Sequence, residues 1–545
     1  MSDIITTTAV QQPVEQPVEQ PVQAEVEQRA PFTAAESLLA WVCLIAGYVF
    51  CRTFPVGINP LACAIFVIAL FVATAVLLVI KGYHPTALPI AAAVSAVALA
   101  ASLVLNENGV IHFFAYSYAL FAYLYFVYAS TGNSLEKGLS NLLFADLFRA
   151  AIILPFASFG RVFSALSSGK GKTGKAFLKA LLGIAIAIIP TVIVFSLLSY
   201  DSDFVELVDK VFRFSDRDVA EIILSVFFGI PIGMYLFGLY ASSREKKCAN
   251  TITAEGCHST AKAVRFVPLP TVFCAVLPIL VIYLLFFLSQ WKYYVSGFIG
   301  VLPDEVAYAQ YAREGFFQLC AVSAINLVIL SLTALLMKRK DDSPSWWLKG
   351  ISLAYSAFTL ILLSTAAAKL VLYIDRFGLT TKRVYAAWFM AVLAILFLLI
   401  IVKQFVSKIK MIPIGAAVVV AMFGLLSFSG VDAFIAEYNV DRYLNGTIKR
   451  LDVEALGDLG YAGVPSLEKL INAGEHAEEY ENFPKDNYSI VRIDAEYEME
   501  TFAEELSEEI PLSELTLRKA RARSILLDMG YIDTEKQPES DGIYM

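Results

Sequence analysis

Residues 59–80 read NPLACAIFVIALFVATAVLLVI, an apolar run with no charged residue in it. A helix rises about 1.5 Å per residue, and a hydrocarbon core of about 30 Å takes about 20 apolar residues to cross. This run is long enough to span a bilayer. Ten more stretches of similar length and character follow or precede it, at 34–54, 85–105, 109–130, 176–199, 219–241, 267–290, 315–337, 346–369, 384–404 and 410–430. The spacing predicts an all-α integral membrane protein of about eleven transmembrane helices.

Composition agrees with that fold class. Hydrophobic residues make up 58% of the 545-residue chain and charged residues 17%, against about 25% charged in a soluble domain. The net charge of −8 divides unevenly: residues 1–430 carry 31 Lys+Arg and 24 Asp+Glu, whereas 431–545 carry 11 and 26. A basic membrane part and an acidic tail are different physical objects, so a domain boundary is placed near Gly430. Three parts result: a disordered Pro/Glu/Gln-rich tail at 1–33, a polytopic transmembrane domain at 34–430, and an acidic, mostly helical region at 431–545.

The head, with Gln-Pro-Val-Glu repeats between Gln11 and Gln28, cannot bury enough apolar area to offset its ordering entropy. It also lacks the Lys/Arg cluster and cleavage site of a signal peptide. In the acidic region, Leu451, Val453, Leu456, Leu459, Leu467, Leu470 and Ile471 recur at helical spacing, punctuated by Pro465, Pro484 and Pro511. The last fifteen residues read as frayed.

With the N-terminus in the cytoplasm, 21 Lys/Arg fall in cytoplasmic segments and 10 in the opposite loops. That bias satisfies the positive-inside rule, and an odd span count then puts the C-terminus outside. Residues 139–168 interrupt the pattern with Asp146, Arg149, Pro155, Gly160 and Arg161. Two readings fit them: an amphipathic helix pair on the cytoplasmic face, or a re-entrant hairpin, which requires protein to cover its backbone.

Several motifs resemble chemistry without the parts it needs. The loop at 169–175, Gly-Lys-Gly-Lys-Thr-Gly-Lys, approaches a phosphate-binding loop, but Ala176 stands where Ser or Thr must hold magnesium, and no strand precedes it. It reads as a basic loop touching anionic headgroups, and no nucleotide or nucleic acid is expected. Cys248, Cys257 and His258 match no common zinc spacing and lack a fourth ligand, so no metal or other cofactor is expected. No nucleophile elbow, zinc-protease helix or Ser/His/Asp set is present. Gly229-Ile-Pro-Ile-Gly233 has the small-xxx-small spacing of close helix packing. Pro190, Pro231 and Pro278 fall in successive spans, as ordinary packing features or as the broken helices of a transporter. The aromatic fourth span, from Phe113 to Tyr128, reads as a packed face.

Cations at the outer ends of spans are costly unless paired or hydrated. Arg313 begins a span with Gln318 about one turn further in; Lys369 closes another; Asp375 lies beside Arg376; Lys382 and Arg383 begin the next. Arg313, Gln318, Lys369, Asp375, Arg376 and Arg383 are therefore the candidate anion- or lipid-binding residues. The alternative is a structural network with Glu314, Asp375, Asp432 or the acidic tail.

The same loops carry a family resemblance. Tyr311-Ala-Arg-Glu-Gly-Phe-Phe-Gln-Leu319, Tyr373-Ile-Asp-Arg-Phe-Gly-Leu-Thr-Thr-Lys-Arg383, and Asn439-Val-Asp-Arg-Tyr443 with Leu451-Asp-Val-Glu-Ala-Leu456 and Pro465 resemble, in this order, the signatures of bacterial polytopic proteins catalogued as domain of unknown function 4173. Broader relatives are catalogued as domain of unknown function 4153. The resemblance covers about residues 130–470. It implies a bacterial inner-membrane location and a shared outer-face structure, and no agreed reaction. The leading reading is a non-catalytic envelope or signalling accessory working through its outer tail, with the lipid bilayer, an anionic lipid or an envelope protein as partner. A transporter or lipid flippase using the cationic pocket is the rival. An outer-face transferase built on Asp375 and Asp432 is third.

Overall fold

A computed structural model describes residues 31–53, 59–167, 217–247, 251–299, 305–338, 346–508, 510–511 and 514–532, with a few isolated positions between 183 and 204. Most of the head, the basic loop at 169–175 and most of the expected span at 176–199 lie outside the described residues. The described helices are α1 Ala34–Thr53, α2 Pro60–Ile80, α3 Ala87–Ser102, α4 Gly109–Ser130, α5 Leu143–Ala157, α6 Arg161–Ser167, α7 Arg217–Arg244, α8 Ala254–Ala263, α9 Leu269–Ile299, α10 Glu305–Leu336, α11 Trp346–Phe377, α12 Thr381–Phe405 and α13 Met411–Phe428. Beyond the bundle come α14 Val431–Leu444, α15 Val464–Asn472, α16 Tyr488–Leu506 and α17 Leu517–Asp528.

Among the described residues, nine helices are long and apolar enough to cross a membrane, or ten if the bent pair α5–α6 counts as one. The chain is an all-α membrane protein. The expected span at 85–105 is shorter than the sequence suggests, with α3 ending at Ser102. Beyond it, Leu103, Val104 and Leu105 each donate to the carbonyl three residues back (3.0–3.3 Å), and Asn106 Nδ2 donates to Ser102 O at 2.9 Å. The tightened turn brings residues 104–108 to the acidic region. Pro231 and Pro278 lie within helices α7 and α9 that continue past them.

Glycines hold the first half together. A Cβ on Gly233 would come within 2.7 Å of Leu44 Cα and one on Gly229 within 2.7 Å of Tyr48 Cα; one on Gly47 would overlap the Gly229 carbonyl oxygen. The small-xxx-small motif thus lets the α1 and α7 backbones touch, the packing use of such spacing. Segment 139–168 packs into the same cluster. Helix α5 has a π-helical turn at Arg149–Ile153 and meets α6 at 58°, and Ala150, Leu154, Val162 and Ala165 are wholly buried. Asp146 accepts hydrogen bonds from Tyr128 Oη (2.7 Å) and Leu135 N (3.0 Å), and Arg149 donates to Tyr128 Oη (3.0 Å). Of the three charges that break the apolar pattern, Asp146 and Arg149 are therefore buried and share one tyrosine, while Arg161 pairs with Glu245.

One end of this half is tied by Glu36, which is wholly buried. It accepts from Thr33 N (2.7 Å), Thr33 Oγ1 (2.9 Å) and Tyr240 Oη (3.0 Å), and pairs with Lys81 (3.2 Å) and Arg244 (3.1 Å). In the second half, Tyr283 Oη donates to Asn326 Oδ1 (2.5 Å) and Asn326 Nδ2 to Thr359 Oγ1 (3.0 Å), joining α9, α10 and α11 across a span interior. The acidic region forms its own core, with Tyr443, Val464, Leu467, Leu470, Ala495, Met499 and Leu526 fully buried.

The α1–α7 contact is the most sterically constrained in the bundle, which yields a prediction. Gly47→Ala should lower the melting temperature in detergent, because overpacking against backbone costs about 1–3 kcal/mol. Gly424→Ala, where a Cβ meets nothing within 4 Å, should leave it unchanged or raise it. Equal melting temperatures for both variants would contradict the packing described.

Candidate functional site

Helix direction places the start of α1, the end of α2 and the end of α7 at one end of the bundle, where Glu36 joins them. The turn at 103–108 and the acidic region lie at the other. There the chain's only dense basic cluster beyond Gly430, Arg518, Lys519, Arg521 and Arg523, starts helix α17. Thr516 caps that helix by accepting from Lys519 N (3.0 Å) and donates its own proton to Glu107 Oε1 (2.5 Å). Leu517 N donates to Val104 O (3.1 Å). Arg518 lies 3.6 Å from Asp432, with side-chain exposures of 12% and 7%, and Asn108 Nδ2 donates to Asp432 Oδ1 (3.5 Å). The acidic region is thus clasped to the bundle by Thr516 on half-buried Glu107, by Leu517 on Val104 and by Asn108 on buried Asp432, which Arg518 of the same region pairs.

Burial pushes the Glu107 carboxyl above the usual carboxylate range, with the Thr516 hydrogen bond and the Lys519 and Arg518 charges pulling the other way. Asp432 is raised for the same reason, against Arg518 and Asn108. Desolvation outweighs pairing at both carboxylates.

Beside the clasp, two of the signatures quoted above interlock. Gly378 turns the α11–α12 connection at φ +74°. The side-chain amide of Asn439 then closes on the next residue, accepting from Leu379 N (2.7 Å) and donating to Leu379 O (2.9 Å). A Cβ on Gly378 would overlap that amide, so the glycine is needed both for its conformation and for the space. Arg442 donates to Asp375 O (2.8 Å) and Oδ1 (2.9 Å) and to Tyr438 Oη (2.9 Å). Arg383 stacks 4.1 Å from the Tyr373 ring centroid and donates to the carbonyls of Phe377 and Gly378.

The sequence candidates therefore separate. Asp375 and Arg383 belong to this interlock. Arg376 is exposed and Lys369 half-buried on the last turns of α11, each engaged in an interaction of its own. Gln318 is exposed on α10; Arg313 is on the same helix, but its side chain lies outside the described residues. Sequence reasoning missed Glu107, Asn439, Arg442, Thr516 and Arg518. The legible signal was the cluster of four cations between Arg518 and Arg523 in an otherwise acidic region. His258, weighed above as a metal ligand, instead meets Glu136 at 2.8 Å.

A second feature lies within the span. A crevice of about 1740 Å³ runs between α3, α4 and α5 on one side and α10–α13 on the other. Its walls are mainly aliphatic and aromatic. Met411 and Phe428, at the two ends of α13, both line it, so it follows the whole length of that helix. Lys349, Lys403, Gln404 and Ser407 line its end away from the clasp.

No group of three or more metal-ligating side chains is found among the described residues. The family model for Domain of unknown function (DUF4153) matches residues 93–470, from α3 through α15, including both interlocked signatures and most of the crevice lining. No curated protein and no solved structure matches the chain. The match covers well over half of the sequence, and the chain belongs to the DUF4153 family.

Proposed function

We propose that the protein is a non-catalytic accessory of a bacterial inner membrane, of the narrower 4173 type that its three signatures resemble. Its work is to hold a folded acidic domain against the outer face for an envelope protein partner. The observation that supports this most directly is the clasp: the domain after Gly430 has its own core and is fixed to the bundle through Thr516 on Glu107, Leu517 on Val104 and Asp432 on Asn108. The carboxylates that an outer-face transferase would use, Asp375 and Asp432, are each engaged by an arginine. The cation bias supports an outward-facing clasp, as does the gathering of Lys81, Arg161, Arg244 and Lys247 at the opposite end. A transporter or flippase remains the second reading, favoured by the crevice along α13.

Orientation is the first test. A single cysteine at exposed Asp486, in a cysteine-free background, should react with an impermeant maleimide from the outer side of intact cells. Labelling only after lysis, with a cytoplasmic control behaving correctly, would reverse the topology and end this reading.

The clasp itself makes a quantitative prediction. Thr516→Val, which removes the hydroxyl that donates to Glu107, should weaken docking by about 1.5–3 kcal/mol, the range for hydrogen bonds to charged groups, read as faster hydrogen exchange at Leu517. Asp375→Asn should cost less than about 1 kcal/mol, because Asp375 is 72% exposed and exposed pairs contribute little.

Acidity should act in the opposite direction from an ordinary ion pair. Glu107 and Asp432 are raised when docked and return to ordinary values when released. Between those values the docked state binds more protons, so docking should strengthen as pH falls from neutral towards about 5 and weaken as it rises again. Exchange at Leu517, corrected for intrinsic rate, would show it; release on mild acidification would contradict it.

A further inference from the structure

The crevice along α13 is unlike the rest of the bundle. Polar links elsewhere join neighbouring helices across the span, as Asn326 does between Tyr283 and Thr359. Here the two halves face each other across a void lined by Ala92, Ala417 and Ala421 and by Gly415 and Gly424, small residues that widen it. Its volume of about 1740 Å³ exceeds the roughly 300–1,000 Å³ of small-molecule sites. An apolar void that size beside hydrocarbon will be filled by something apolar and long.

Its two ends differ. At the clasp end the lining closes on Gly424 and Phe428, which are uncharged. At the other end Lys349 and Lys403 stand with Gln404 and Ser407. Lys403 Nζ donates to Ile409 O at 2.6 Å and to the Ser407 carbonyl, which fixes its ammonium at the rim. Trp346 and Trp347, 68% and 45% exposed, start α11 one turn before Lys349; tryptophans so placed mark the headgroup level. A chain-shaped apolar slot with fixed ammonium charge at one interface is complementary to a single amphiphile: long acyl chains and an anionic headgroup.

We infer that this crevice is a binding site for one membrane phospholipid with an anionic headgroup. Its acyl chains lie along α13, and its phosphate lies at Lys349 and Lys403, at the face opposite the clasp. The inference stands independently of the accessory role and of the outer cationic candidates.

The test uses the full-length protein extracted in mild detergent, with bound phospholipid counted by phosphate assay and identified by native mass spectrometry. Wild type should retain phosphatidylglycerol in preference to phosphatidylcholine when both are supplied. Gly424→Leu fills the crevice at a position where added atoms meet nothing nearby. Excluding even two methylene groups is worth about tenfold in affinity, so this variant should lose retained lipid while eluting as a folded species. If it misfolds, the milder Ala421→Val should show a smaller loss. Lys349→Glu should keep total lipid and abolish the anionic preference. The inference fails if wild type retains no lipid, or if a folded filled variant retains as much as wild type. It also fails if Lys349→Glu leaves the preference intact. A disulfide forming in native membranes between Gly424→Cys and Ala187→Cys would show that the apolar segment 176–199 fills the crevice, and would overturn it as well.

Discussion

Inside hydrocarbon no water is available to satisfy a peptide group, so each span must close its own hydrogen bonds and export its charges to the ends. That constraint organises this molecule. The long helices are almost uniformly apolar, and the polar knots sit mainly where helices stop. Glu36 gathers α1, α2 and α7 at one end; Glu107 and Asp432 gather α3, α4, α14 and α17 at the other. The charged exception, Asp146 with Arg149, lies in the bent segment with a π-helical turn, where protein covers the backbone and Tyr128 serves both charges. The helix bends where the constraint is met by side chains and not by the regular ladder alone.

The two ends use buried carboxylates differently. Glu36 has two cations and three hydroxyl or amide donors around it, enough to hold a charge out of water. Glu107 and Asp432 have fewer partners for their burial, so their ionised forms are disfavoured when the acidic domain is in place. The first arrangement suits a permanent joint between helices. The second suits a contact whose strength depends on protonation.

The interlocked loops lie within the family match. Asn439 reads the backbone of Leu379 with both halves of its amide, and Arg442 reads the carbonyl and carboxylate of Asp375. These contacts set the α11–α12 turn against α14, and so fix where the acidic domain starts. They are positioning contacts between a membrane helix pair and the core of the acidic region.

Apolar run length by itself determined that this chain spans a membrane many times, and composition located the change of character near Gly430, because both depend only on the cost of placing groups in hydrocarbon. The close-packing use of Gly229 and Gly233 was legible too, since a missing side chain has few other meanings at that spacing. Partner choice among charges was not. Sequence marks Arg383 and Asp375 as unusual for their depth, but the pairing of Asp375 with Arg442, of Asp432 with Arg518 and of Glu107 with Thr516 joins residues separated by 67, 86 and 409 positions. Those pairs exist because the helices that carry them end at the same face, and the packing of the bundle alone decides which ends meet. The crevice is likewise a property of tertiary structure: small residues on α3 and α13 become a void only where the opposing halves stand too far apart to close over them.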